Sequence, residues 1–205
     1  MADLFVVLLH YPVYDKNGAV VTTAVTNMDV HDISRLSRTF GVRGFFVCTP
    51  VETLRRLVAR IMRHWEVGPG ATYNATRKEA LALVRLAPDL DAVVAEIERE
   101  TGALPRLVVT TAKGGPDRLA FGAMAQRLRE PGRPFLLVFG TGWGLHESIL
   151  ARADHTLEPV RGSGDYNLAG RCMAAVPPYS TRYVQARVNL ARVFAVQGRR
   201  AEAEA

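Results

Sequence analysis

Short apolar runs alternate along this chain with segments in which apolar residues recur every three or four positions. A buried strand favours a continuous apolar run, whereas a helix with one buried face repeats at about 3.6 residues. The strand-like runs are residues 4–10, 44–49, 106–111, 134–139 and 155–159. Because helical segments separate these runs, the pattern predicts an α/β fold in which helices cover both faces of a mostly parallel sheet.

The helical segments carry start and stop signals. Ile33, Leu36 and Phe40 have helical spacing. Gly41 and Gly102 each stand where a helix would end. The predicted helices are residues 29–40, 51–65, 76–83, 90–101, 118–129, 145–153 and 184–194. The second is predicted to be amphipathic, with an apolar face of Leu54, Leu57, Val58, Ile61 and Trp65.

Length and composition favour one domain. At 205 residues and 48% hydrophobic composition, the chain can bury a core, and we expect a single domain spanning residues 1–205. No window reaches the roughly 18 apolar residues of a membrane span, and the opening segment lacks the features of a secretory signal. We therefore expect a cytoplasmic protein without a membrane partner. Cys48 and Cys172 are the only cysteines, so neither a disulfide framework nor a cysteine zinc site is predicted.

The charge balance is basic. A net charge of +6 and a pI near 9.7 favour a polyanionic partner such as RNA, because bound phosphates release their counterions. Only Lys16, Lys78 and Lys113 of the 26 basic residues are lysines. Genomic base composition would explain that arginine excess as well as phosphate recognition would. Charge alone therefore leaves RNA binding open.

A glycine-rich turn follows the apolar run 134–139 and precedes a predicted helix. Gly140, Gly142 and Gly144 would let the backbone approach a ligand closely, which predicts a nucleotide-like ligand. One alternative is a dinucleotide fingerprint, since Glu158 lies near the offset of roughly 20 residues where an acidic residue meets a ribose. A plain tight turn is another. For Trp143, within this turn, we expect core packing.

Three loops follow late strands, at residues 110–115, 140–144 and 158–167. The ends of parallel strands meet at one edge of a sheet, where α/β proteins bind ligands. A site there would consist mainly of backbone groups. Such a site suits an adenine and a sulfonium donor better than it suits a metal.

A polar cluster opens the first predicted helix. It comprises Asn27, Asp29, His31, Asp32 and Arg35. Asp29 could cap the helix, and Arg35 could clamp a phosphate or carboxylate through its planar guanidinium. A metal site is not predicted, because one histidine and two acids lack a second histidine or a cysteine. No catalytic triad, Walker loop or HExxH motif occurs in the sequence.

Several ordered motifs resemble one family. The run TAVTNMDVHDISRLSRTFGVRGFFVCTP at 23–50 looks like the opening of bacterial S-adenosylmethionine-dependent RNA methyltransferases of the SPOUT superfamily. The resemblance continues in HW at 64–65, YNATRKEAL at 73–81, LVFGTGWGL at 137–145 and LEPVRGSGDYN at 157–167. Together these motifs cover residues 4 to about 167.

The resemblance implies a fold, a cofactor and partners. It implies a deep trefoil knot in the C-terminal part of the sheet, at about 106–196, which is a rare exception to the rule against threaded chains. It also implies a homodimer that transfers a methyl group from S-adenosylmethionine to tRNA or rRNA.

The resemblance also assigns residues. Those assigned to the cofactor are Thr110, Thr111, Ala112, Phe139, Gly140, Thr141, Gly142, Gly144, Leu145, Leu157, Glu158, Pro159, Gly162 and Asn167. Asn27, Arg35 and Arg38 are assigned to RNA. Arg35 is also the candidate catalytic residue that orients the target nucleotide. Asp165 or Asp29 would accept a proton if the target is a ring nitrogen.

The resemblance weakens after Asn167. There the family pattern continues into a long helix, which Pro177 and Pro178 would interrupt in this chain. A second hypothesis is therefore an inactive SPOUT-like protein that binds RNA or cofactor without turnover. A dinucleotide-binding protein is a third.

Overall fold

The computed structural model describes residues 1–160 of the chain. The strands are β1 (Leu4–Leu9), β2 (Val13–Tyr14), β3 (Val20–Val21), β4 (Gly44–Cys48), β5 (Val84–Ala87), β6 (Arg106–Val109), β7 (Arg118–Leu119), β8 (Phe135–Gly140) and β9 (His155–Leu157). The helices are α1 (Asn27–Thr39), α2 (Glu52–Glu66), α3 (Pro69–Tyr73), α4 (Ala75–Leu81), α5 (Leu90–Thr101), α6 (Phe121–Arg129) and α7 (Glu147–Leu150). The predicted helix 184–194 lies outside the described residues.

Seven strands form one sheet, in the order β5-β4-β1-β8-β6-β9-β7. Every neighbouring pair in it is parallel. The central strand β1 pairs with β4 on one side and with β8 on the other, so the first and one of the last described strands lie together. β2 and β3 form a separate antiparallel hairpin. The predicted α/β fold with a mostly parallel sheet is confirmed.

Two hydrophobic clusters cover the two faces of this sheet. Alternate residues of β1 enter them, Leu4, Val6 and Leu8 on the first face and Phe5, Val7 and Leu9 on the second. Helices α1, α2, α4 and α6 contribute to the first cluster, and α5 and α7 to the second. The strands are continuous apolar runs because both faces are buried. Helices on both faces were predicted, and the structure confirms them.

Helix capping follows the sequence with one correction. Thr26, not Asp29, caps α1. Its hydroxyl oxygen accepts the Asp29 backbone N–H at 3.2 Å, and the hydroxyl donates to the Asp29 carboxylate at 2.6 Å. This reciprocal pair resembles a capping box. Gly102 ends α5 in the left-handed conformation, with φ of 74°, as predicted.

Several elements differ from the sequence prediction. The predicted helix 118–129 is two elements, because extended backbone at Ala120 separates β7 from α6. Strand β5 was not predicted, since its four residues are strand only through pairing with β4. Helix α3 was not predicted either. The two strands of the hairpin, β2 and β3, were not predicted.

Helix α2 is less buried than its apolar pattern predicts. Val58 is its one fully buried residue, while Leu54, Ile61 and Trp65 are partly buried. Leu57 was placed on the buried face, which is wrong, because its side chain is 45% exposed. Within residues 1–160, no helix is both long and apolar enough to cross a membrane.

Candidate cofactor edge and arginine pocket

The strand order brings three loops together. β8, β6 and β9 are neighbours and parallel, so the loops after Val109, Gly140 and Leu157 leave the same edge of the sheet. The end of β1 is next to β8 at that edge. The clustering that the sequence predicted for these loops is therefore confirmed as far as residue 160. Gly162, Asp165 and Asn167 lie outside the described residues.

The glycine turn is fixed by the chain's own backbone. Gly142 has φ of +62°, and a Cβ there would lie 2.4 Å from the Tyr14 carbonyl oxygen. The Trp143 backbone N–H donates to that carbonyl at 2.7 Å, and the Tyr14 N–H donates to the Gly144 carbonyl at 2.9 Å. The close approach that requires Gly142 is thus to the hairpin. The sequence interpretation attributed the requirement for glycine to a ligand, and the hairpin accounts for it without one.

Three side chains tie this turn to the end of β1. The Thr141 hydroxyl donates to the Leu9 carbonyl at 3.1 Å, and its oxygen is 2.5 Å from the Thr23 hydroxyl oxygen. Thr23 in turn lies 3.1 Å from His10 Nδ1. Burial lowers the pKa of His10 to about 4, so the imidazole is neutral at physiological pH. Sequence reasoning missed this network, because its members are far apart in the chain.

The loop after β6 is partly engaged in the fold. The Thr110 hydroxyl and backbone N–H both donate to the Val138 carbonyl at 3.1 Å. Thr111 accepts the Lys113 backbone N–H through its hydroxyl oxygen, also at 3.1 Å. Ala112 is exposed. Among residues 1–160, the backbone amides of Ala112 and Gly142 have no hydrogen-bond acceptor.

Glu158 has a structural role on the third loop. Its carboxylate accepts the backbone N–H of Phe121, the first residue of α6, at 2.9 Å. Its own N–H donates to the Leu119 carbonyl at 3.0 Å. A carboxylate used in this way caps a helix start rather than reaching for a ribose. The geometry therefore disfavours the dinucleotide interpretation.

The aromatic and aliphatic residues of these loops divide into two kinds. Phe139, Leu145 and Leu157 are buried in the clusters, so only their backbone groups face the edge. Trp143 is 66% exposed. The expectation that Trp143 packs in the core is wrong, because the positive φ values of the glycines on each side of it belong to a tight turn rather than to packed strand or helix.

The candidates on α1 do not form one site. Asn27 is the first residue of α1 and Arg38 lies in its last turn, about 16 Å further along the axis. Asp29 and Arg35 are six positions apart, which places them on different sides of the helix. Burial raises the pKa of Asp29, against the opposing effect of its hydrogen bonds with Thr26. A half-buried carboxyl of this kind holds a proton more readily than an exposed one.

Arg35 and Arg38 instead face α4. They border a pocket of about 250 Å³ together with Asn74, Thr76 and Arg77. Both arginines form ion pairs. A guanidinium nitrogen of Arg35 lies 3.5 Å from a carboxylate oxygen of Asp32, and one of Arg38 lies 3.1 Å from a carboxylate oxygen of Glu79. Three guanidinium groups at one polar pocket make it suited to an anion.

Arg77 is held in place by an aromatic group. Its guanidinium carbon lies 4.8 Å from the centroid of the Trp65 ring. The rings of His31 and His64 meet Trp65 edge-on, at 5.5 and 5.3 Å. Burial, followed by the charge of Arg77, lowers the pKa of His31. Sequence reasoning missed Arg77, although it lies within the motif at 73–81. In residues 1–160 no three His, Cys, Asp or Glu side chains come together as metal ligands.

The sheet order and the loop edge match the α/β fold of solved structures. A probable methyltransferase from Bordetella pertussis Tohama I matches with a TM-score of 0.57 at 11% identity, covering 96% of each chain. The SpoU methyltransferase AviRb from Streptomyces viridochromogenes matches with 0.54 at 16% identity, covering 95% of this chain and 60% of that one. At these identities the comparison shows the fold.

Sequence comparison gives the family. A family model described as SAM-dependent RNA methyltransferase matches residues 3–177, and this chain belongs to that family. The resemblance stated from the sequence is thereby confirmed. A tRNA (guanine-N(1)-)-methyltransferase from Oleidesulfovibrio alaskensis is 41% identical over 175 residues, which are 85% of this chain and 40% of that protein. An uncharacterized protein from Aquifex aeolicus is 37% identical over 80% of both chains. The chain thus spans 40% of the length of that tRNA methyltransferase and 80% of the length of the Aquifex aeolicus protein.

Proposed function

We propose that this protein transfers a methyl group from S-adenosylmethionine to a nucleotide of a structured RNA. The observation that carries the proposal is the meeting of the loops after β6, β8 and β9 at one sheet edge in a chain of this family. Relatives at 41% and 43% identity are named tRNA methyltransferases, which makes tRNA the substrate class we propose.

The residues at the loop edge fit the cofactor. The free amides of Ala112 and Gly142 supply donors for an adenine or a carboxylate, and the buried side chains beneath the loops give an apolar floor. When bound, S-adenosylmethionine would supply a methyl group activated by its sulfonium. The chain's part is to hold that methyl group and the nucleophile in line. Gly162 and Asn167 complete the proposed set from the sequence alone.

We propose RNA-binding roles for residues of α1 and α4. Arg35 and Arg38 would bind RNA phosphate at the α1–α4 pocket, and Arg77, braced by Trp65, joins them there. Asn27 would contact RNA nearer the loop edge. Asp29 or Asp165 would accept the proton. Burial raises the pKa of Asp29, so this carboxylate is a stronger base than that of an ordinary aspartate.

The resemblance implies the knot and the homodimer, whereas the single domain and the cytoplasmic location are expectations from the sequence itself. We propose a single domain over residues 1–205, a knot within about 106–196, a homodimer and a cytoplasmic location. Light scattering after gel filtration would test the dimer. A monomer at micromolar concentration would contradict it.

Calorimetric titration with S-adenosylmethionine and with NAD in one buffer tests the proposed function first. We expect heat with S-adenosylmethionine alone. Incubation with radiolabelled S-adenosylmethionine and bulk tRNA should then label the tRNA. Cofactor binding without labelled RNA would favour the inactive, binding-only alternative. Binding of NAD alone would favour the dinucleotide alternative and refute the methyltransferase.

A further inference from the structure

Helix α2 carries a row of arginines on its outer surface. Arg56, Arg60 and Arg63 follow one another at intervals of four and three residues, so they lie on one side of the helix. All three are exposed. We call them the α2 arginine row. None of them was assigned a function from the sequence.

Packing and ion pairing do not account for the α2 arginine row. Like charges at these spacings repel one another and destabilise a helix. Glu52 pairs with Arg56 at 2.6 Å. Arg60 and Arg63 have no acidic partner in the described part of the chain, although Glu66 is one turn from Arg63. Two unneutralised guanidinium groups on one helix side are therefore available to an external anion.

The position of the row relates it to the loop edge. Arg55, beside the row, donates to the carbonyl of Thr49 at 2.6 Å, just beyond the end of β4. The α2 arginine row starts beside Arg55, near the end of β4, and runs about 10 Å along the helix axis. β4 is two strands from β8 in the sheet, which is about 10 Å at the usual strand spacing. An RNA that reaches both the glycine turn and the row must extend beyond one nucleotide.

The row and the arginine pocket lie on the same face of the sheet. α2 packs against α4, which contributes Arg77 to the pocket, and both helices enter the first hydrophobic cluster. A polyanion lying on this face could contact both. A small anion could occupy only one of them. The arrangement therefore fits a nucleic-acid backbone better than a free phosphate.

We propose that the α2 arginine row binds the phosphate backbone of the RNA outside the target nucleotide. This rests on the proposed function, in which RNA is the substrate. Arginine binds phosphate oxygens through paired donors, and each phosphate contact releases counterions. The row would thus supply affinity and orientation without reading the base sequence.

The test removes two charges from the row. Arg60→Ala with Arg63→Ala keeps good helix formers at both exposed positions, so the fold should hold. Binding of fluorescently labelled bulk tRNA is followed at several salt concentrations. Loss of two phosphate contacts should reduce the slope of log K against log salt by about 1.4–1.8. The affinity at 0.15 M salt should fall about 14- to 30-fold.

A matched pair controls for net charge. Arg99→Ala with Arg152→Ala removes the same charge from the opposite face, where Arg99 is exposed on α5 and Arg152 pairs with Asp91 of α5. We expect this control pair to keep the wild-type salt slope. Arg60→Lys with Arg63→Lys should restore most of the tRNA affinity that the alanine pair loses. An equal effect in both alanine pairs, or an unchanged slope in the first, overturns the proposal.

Titration with S-adenosylmethionine distinguishes failure of the row proposal from failure of the proposed function. The row variants should bind S-adenosylmethionine as the wild type does, since the row lies outside the loop edge. If wild-type protein binds tRNA and the row variants bind it equally, the row proposal alone is wrong. If the wild type binds S-adenosylmethionine but no tRNA at low salt, the proposed substrate class fails together with the row.

Discussion

Gly142→Ala should loosen the turn between β8 and α7. An alanine at φ of +62° costs about 1–2 kcal/mol as a left-handed residue. Its Cβ would also lie 2.4 Å from the Tyr14 carbonyl oxygen. That carbonyl must move, which breaks its hydrogen bond from Trp143, worth about 0.5–1.5 kcal/mol. The total loss in the free energy of unfolding should be about 1.5–3.5 kcal/mol.

Gly102→Ala is the matched control for this substitution. Gly102 also has a positive φ, 74°, but a Cβ there meets nothing within 4 Å. Both substitutions restrict the unfolded chain equally, so that contribution cancels in the comparison. The excess loss at Gly142, about 0.5–1.5 kcal/mol, reports the contact with Tyr14.

Urea unfolding measures the difference. With a slope of about 2 kcal/mol per molar, the midpoint of the Gly142 variant should lie about 0.25–0.75 M below that of the Gly102 variant. Calorimetry should show weaker S-adenosylmethionine binding in the Gly142 variant alone. Equal midpoints would refute the claim that the hairpin, rather than a ligand, requires glycine at this position.

Three further predictions follow from the described contacts. His10 has a pKa of about 4 in the folded protein and about 6.5 unfolded, so its stabilising effect is complete above pH 6.5 and is lost as the pH falls towards 4. His10→Gln should flatten the stability profile in that window by up to about 3 kcal/mol, and an unchanged profile would contradict the assignment. Arg35→Ala should weaken tRNA binding and methylation while leaving S-adenosylmethionine binding intact. Full methylation and RNA affinity in that variant would exclude the phosphate clamp. Glu158→Gln should lower the free energy of unfolding by about 1 kcal/mol, because the amide holds the Phe121 N–H less strongly than the carboxylate does. Wild-type NAD binding that this variant abolishes would instead support the ribose role.

The elements predicted from the sequence are those with complete local signals. β1 and β8 are apolar runs of six residues each, and α5 has an N-cap at Asp89 and a glycine at its end. β5 and β7 have four and two residues and become strands through neighbours that are distant in the chain. No local pattern could reveal that pairing.

The candidate site was predictable to a similar extent. The loop edge followed from the alternation of strands and helices, because the ends of parallel strands meet. The role of Gly142 did not, since its neighbour Tyr14 comes from a hairpin 128 positions earlier. Arg77 was missed because its position depends on stacking against Trp65 from another helix. Contacts of this kind exist only once helices have packed.

The bond from Thr141 to Leu9 joins residues 132 positions apart, and the hairpin rests on the same turn. Contacts at such separation carry a loop-closure cost and are associated with slower folding. A nascent chain that has emerged only as far as β6 has no partner for this side of β1. The loop edge is therefore complete only once β8 lies beside β1, and a chain made only as far as β6 lacks the glycine turn that we propose binds the cofactor.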